Sequence, residues 1–92
     1  MATKTILRRK PRLGQTIRAI RRRHDMTQAE LAFELKHVRG FAQAAISRLE
    51  TDLWLPDAGQ MVHLLRALHA TEEDSQAVRQ LAAALRVRDA NG

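Results

Sequence analysis

Cysteine is missing from the 92-residue chain, which excludes disulfides and thiolate metal sites. Tyrosine is missing too, and Phe33, Phe41 and Trp54 are the whole aromatic complement. Four glycines and two prolines are too few for a fibrous or low-complexity chain. No apolar run nears the ~20 residues that cross a bilayer. No continuous apolar stretch follows the basic N-terminus, as a secretory leader would require. The expected setting is therefore the cytoplasm, with no membrane partner. Nothing marks an enzyme: there is no Gly-rich phosphate loop, nucleophile elbow or pair of catalytic acids. His24, His37, His63 and His69 lack the close spacing of zinc ligands, so neither a metal nor any other cofactor is expected.

Acid is the other scarcity, and it is local. Residues 1–48 hold 12 Lys or Arg against three acids, Asp25, Glu30 and Glu34, for a net +9, whereas residues 49–92 carry a net −3. Nine of the bases precede His24 with no acid among them. A surface of one sign suits a polyanion, because neutralising phosphates releases condensed counterions. Solubility, or attraction to an acidic membrane or protein, is the plainer reading of the same charge.

What is present is mostly Leu and Ala on helical spacings, at a length suited to one modest domain. Residues 1–12 carry Lys4, Arg8, Arg9, Lys10 and Arg12 without an apolar stripe. They read as a flexible basic arm, with a boundary at Pro11. Leu13, Ile17 and Ile20 predict a first helix that fails near His24 and Asp25. Thr27 and Glu30 have capping-box spacing, with Met26 and Leu31 at the staple positions. Leu31, Leu35 and Val38 carry that second helix to about His37 or Val38. Gly40 marks a turn. Phe41, Ala45, Ile46 and Leu49 form the inward side of a third helix over about 42–50, with the weak cap Ala42. Gln43, Ala44, Ser47 and Arg48 share its opposite, exposed face. Asp57 with Gln60 opens a fourth helix, whose stripe is Met61, Leu64, Leu65 and Leu68. Thr71 with Asp74 opens a fifth, whose stripe is Val78, Leu81, Ala82 and Leu85. Residues 88–92 are expected to fray. With no strand pattern, the fold class is all-α.

Thr27-Gln28-Ala29-Glu30-Leu31-Ala32, then Ile46-Ser47-Arg48-Leu49-Glu50, then Pro56 occur in order around the second and third predicted helices. This string resembles the phage-repressor and Cro-like, or XRE, helix-turn-helix family over about residues 13–70. The resemblance implies a compact five-helix lambda-repressor-like domain over 13–87, with the motif at about 27–50. It implies a transcriptional regulator that lays its second motif helix in the major groove of an operator, which is palindromic where the protein binds as a homodimer. By position, Gln28 matches a glutamine that binds phosphate at a helix start, where free N–H groups and the positive dipole end suit an anion. Gln43, Ala44, Ser47 and Arg48 match base-facing positions: Gln pairs with adenine, Arg with guanine, and Ala touches a thymine methyl. Arg48 is equally placed for a phosphate, and Ser47 is short enough to stop at phosphate or water. Arg8, Arg9, Lys10 and Arg12 are expected phosphate contacts of the arm. Arg21 and Glu50 match a pair that bridges the first and third helices and keeps Glu50 from repelling phosphate.

The chain departs from that pattern in three places. The stretch from Leu35 to Phe41 is about four residues longer than in the family's short form, and either an extended second helix or a longer loop accommodates it. Asp52 stands where the family usually ends its helix with Gly. Leu53-Trp54-Leu55 replaces a polar loop, and Trp54 either packs on the core or meets a second copy. An antitoxin that binds both its operator and a toxin is the alternative function, and an interaction module without DNA binding is a third. Removing residues 1–12 should weaken binding to all duplex sequences alike, because phosphate contacts carry no sequence information. Titration of full-length and truncated chains against two unrelated duplexes checks this, and unchanged affinity would show the arm to be idle.

Overall fold

Capping residues set the starts of three of the five helices, and left-handed residues set the ends of three. The computed structural model describes residues 12–91: α1 Leu13–Arg23, α2 Gln28–Glu34, α3 Gln43–Glu50, α4 Ala58–Ala67 and α5 Glu72–Asn91. No strand occurs among the described residues. Most of the expected basic arm, including Arg8, Arg9 and Lys10, lies outside them, and Arg12 is the exposed cap of α1.

Three capping boxes form where Ser/Thr/Asp is followed three residues later by an acid or amide. The Glu30 N–H donates to Thr27 Oγ1 at 3.0 Å while Glu30 Oε1 accepts from the Thr27 N–H at 2.8 Å. Asp57 and Gln60 do the same for α4, at 2.7 and 2.9 Å. Thr71 and Asp74 do so for α5, at 3.1 and 3.3 Å. Each box satisfies two N–H groups that a helix start leaves unpaired. The Asp74 carboxyl is held below its ordinary pKa. Burial opposes that shift, but hydrogen bonds from Thr71 and the charge of Arg23 outweigh it.

The core is one cluster to which every helix contributes. It contains Leu13, Ile17 and Ile20 of α1, Leu31 of α2, Ile46 and Leu49 of α3, Met61, Leu64 and Leu65 of α4, and Val78 and Ala82 of α5. Leu35, Phe41 and Leu68 join it from between the helices. Burying a large aliphatic side chain contributes about 1.5–3 kcal/mol, so this cluster supplies the bulk of the folding energy. Trp54 is half-buried and meets Phe41 edge-on, with ring centroids 5.4 Å apart. It thus packs on the core.

Two expected boundaries differ from the structure. The second helix ends at Glu34 rather than near Val38. Tight turns follow, with Lys36 N–H bonded to the Phe33 carbonyl at 3.2 Å and Val38 N–H to the Leu35 carbonyl at 2.9 Å. Turning early lets Leu35, Val38 and Phe41 all reach the core, so the extra residues are loop. At the other end, the helix continues through 88–91, where fraying was expected. Leu81 and Leu85 still pack against the core, and Arg86 donates to the Pro56 carbonyl at 2.6 Å. The last turns therefore extend a helix that is already nucleated and docked, which costs little.

Three helices end on a non-glycine residue in the left-handed region: Asp25 (φ 52°), Asp52 (φ 63°) and His69 (φ 54°). Each is the pivot of a paired hydrogen-bond turn. For α1, the Asp25 N–H reaches Arg22 and the Met26 N–H reaches Arg21; α3 and α4 repeat the pattern at Asp52-Leu53 and His69-Ala70. These are Schellman ends, where Gly is the unstrained choice. A side chain there costs roughly 1–2 kcal/mol, and Gly gives back about 0.5–1 through its own chain entropy. His69→Gly should therefore stabilise the fold by about 0.5–1 kcal/mol. Asp52→Gly should gain less or lose stability, because Asp52 Oδ1 accepts from the Gly14 N–H at 2.9 Å. Urea midpoints of the two variants check the contrast, and equal gains would deny Asp52 a capping role.

Candidate nucleic-acid interface

The third helix splits cleanly into two faces. Ala45, Ile46, Leu49 and Glu50 are buried, while Gln43, Ala44, Ser47 and Arg48 are exposed. Its cap, Ala42, offers no side-chain acceptor, so the first N–H groups of α3 remain open to solvent or to a ligand. At its far end, the Thr51 hydroxyl donates to the Ser47 carbonyl at 2.9 Å.

Glu50 is the exception on the buried face, being charged. Its two oxygens accept from Arg21 Nε at 2.6 Å and Nη2 at 2.9 Å, and Oε1 also accepts from Gln28 Nε2 at 3.1 Å. Arg21 completes its own set by donating Nη1 to the Met26 carbonyl at 2.7 Å. The side chains of Arg21 and Glu50 are only 10% and 3% exposed. The planar guanidinium matches a carboxylate in two parallel bonds, a fit that an ammonium cannot make. Hydrogen bonding to Glu50 raises the Arg21 pKa, and burial opposes the shift without reversing it. One guanidinium thus ties α1, the α1–α2 turn and α3 together, and Gln28 of α2 joins through Glu50.

Gly14 makes that approach possible. A Cβ on it would lie 2.4 Å from the Glu50 carbonyl oxygen and 2.7 Å from that of Leu49, so α1 and the end of α3 touch backbone to backbone. The signal in the sequence was a glycine at the second position of a helix, where propensity disfavours it. The Gln28–Glu50 and Asp52–Gly14 bonds join residues 22 and 38 positions apart, which helical spacing does not reveal.

Above the network lies an open groove of about 610 Å³, bordered by Arg21, Arg22, Asp25, Thr27, Gln28 and Gln43. It brings Gln28, expected to hold a phosphate, beside Gln43, expected to read a base. Gln28 is half-buried. One N–H of its amide goes to Glu50, and its other N–H and its carbonyl oxygen have no partner among the described residues. Arg18, Arg22, Arg39 and Arg48 are exposed. Arg23 is paired with Asp74 instead, and Lys36 lies 4.1 Å from the Phe33 ring centre.

The histidines form two ring contacts, His24 with His69 at 5.8 Å and His37 with His63 at 6.2 Å. Among the described residues no group of three or more His, Cys, Asp or Glu could hold a metal, and no helix is long and apolar enough to cross a membrane. Comparison with protein-family models, with curated proteins and with solved structures finds no match to this chain.

The buried pair sets up a double-mutant test. Arg21→Met or Glu50→Met alone strands a buried charge and should cost about 3–5 kcal/mol. The double variant removes both charges and should cost far less than the two singles together. Urea unfolding of the three variants measures the coupling, and additive losses would mean that the pair is not a unit.

Proposed function

We propose that this protein is a sequence-specific duplex-DNA-binding regulator that lays α3 in the major groove, as the phage-repressor and Cro-like proteins its sequence resembles do. The observation that carries the reading is the juxtaposition at the groove: the start of α2, with Gln28, and the start of α3, with Gln43, open side by side onto one cleft. An α-helix with its side chains is about 10–12 Å across, and the major groove is about 12 Å wide. α3 therefore fills the groove while the start of α2 meets the flanking phosphates. Gln43, Ala44, Ser47 and Arg48 present donors, acceptors and a methyl group to base edges, and the buried Glu50 is neutralised by Arg21 where a bare carboxylate would repel the backbone. The unpaired N–H of Gln28 and the N–H groups at the start of α2 face the phosphate. The net +9 of residues 1–48 supplies the sequence-independent attraction. A homodimer doubles the few base pairs that one helix reads, so the proposed operator is a palindrome with half-sites about one helical turn apart.

Gln43→Ala and Gln28→Ala should fail in different ways. Gln43 is the first residue of the exposed face, and helix-start residues reach the base edges. Its loss should cost about 1–3 kcal/mol on the preferred site and relax the preference at one base position. Gln28→Ala should weaken all sites alike. Binding profiles over single-base operator variants, with circular dichroism as the folding control, separate them. An unchanged base preference in Gln43→Ala would move the reading face elsewhere. A log–log salt slope near zero for the unaltered protein would remove the DNA reading itself.

A further inference from the structure

The extra residues between α2 and α3 leave one cation uncommitted. Residues 35–49 contain Lys36, Arg39 and Arg48 and no acid. Lys36 is occupied by the Phe33 ring. Arg39 is exposed, and its guanidinium has no partner among the described residues. It stands three residues before Ala42, the cap of α3.

The backbone at Arg39 is held in an unusual way. Among the described residues, no main-chain hydrogen bond involves Arg39, Gly40 or Phe41. The one bond to that stretch comes from the side chain of Gln60, whose Nε2 donates to the Arg39 carbonyl at 3.0 Å. The other end of the same amide is already engaged, because Oε1 accepts from the Asp57 N–H at 2.9 Å in the α4 capping box. Gly40 has φ +95°, and a Cβ there would sit 2.8 Å from Gln60 Nε2, so only glycine admits the clamp. One amide therefore joins the start of α4 to the loop that feeds α3.

We infer that Arg39 is a contact to the DNA backbone, presented at the start of the reading helix by Gln60 acting as a positioning residue. The inference rests on the DNA-binding reading above and adds residues that the helix-turn-helix pattern does not assign. A helix that fills the groove presses the chain leading into it against the phosphates on the rim. Three residues span at most about 10 Å, so Arg39 leaves the helix start beside that rim. Clamping its carbonyl fixes where the side chain departs, which lowers the entropy that the guanidinium loses on binding.

Equilibrium binding of the full chain to its selected operator and to an unrelated duplex, each over a salt series, tests this. One phosphate contact contributes about −0.9 to the salt slope, worth about fivefold in affinity at 0.15 M salt. Arg39→Ala should lower affinity about fivefold on both duplexes and shrink the slope by about 0.9. Gln60→Met removes the clamp at unchanged charge and should lower affinity about two- to threefold, but not further once Arg39 is Ala. Asp57→Ala breaks the capping box from its other side while leaving the amide donor. It should lower thermal stability as Gln60→Met does and leave the affinity undiminished. Steep salt dependence that persists unchanged in Arg39→Ala overturns the contact while sparing the DNA reading, and a loss confined to one base position makes Arg39 a base reader instead. An equal loss from Gln60→Met in both backgrounds, or from Asp57→Ala, reduces Gln60 to a cap. If the unaltered chain shows no salt-dependent duplex binding, the reading and the inference fall together.

Discussion

The rotation of α3 about its own axis depends on the buried guanidinium of Arg21. Withdrawing two charges from water costs several kcal/mol per ion. The mutual attraction of the pair and the four hydrogen bonds that satisfy it offset that cost. The two sides nearly cancel, so the network adds little net stability. Its effect is geometric. An apolar contact tolerates sliding, whereas a bidentate pair whose guanidinium also donates to the Met26 carbonyl, and whose carboxylate also accepts from Gln28, has one arrangement that satisfies all partners. Ile46 and Leu49 hold α3 against the core, and Glu50 sets its rotation about its own axis.

The remaining freedom of α3 is removed at its two ends by different chemistry. At the C-terminal end, α1 and α3 meet backbone to backbone at Gly14, and Asp52 accepts the Gly14 N–H while accepting a left-handed backbone itself. At the N-terminal end, residues 39–41 carry no main-chain hydrogen bond among the described residues and depend on an amide borrowed from α4. The exposed face between them carries no structural task. Gln43, Ala44, Ser47 and Arg48 are exposed, and none is needed to keep the helix in place.

Much of this was legible in the chain itself. The three capping boxes and the apolar stripes located every helix start, since those signals act within one turn and need no distant partner. The inward residues Ile46 and Leu49, and hence the outward set on α3, followed from helical spacing alone. Two helix ends were misplaced for a shared reason. Whether the chain turns after Glu34 or runs on past Val87 depends on what Phe41 and Leu85 find to pack against, and tertiary contact overrides local preference there. Asp52 looked like a poor substitute for glycine because its partner, Gly14, lies 38 residues away. The Gln60 clamp was hidden in the same way: the capping-box reading accounted for one end of the amide and gave no reason to ask about the other.

The contact at Gly14 also sets a reference point for the chain that precedes it. α1 begins at Leu13, one residue before the spot where its backbone rests on that of Glu50. Arg12 is therefore located relative to the end of α3 by a hard steric stop instead of by flexible side chains. The first described residues are therefore anchored to the end of α3 through backbone rather than through long side chains.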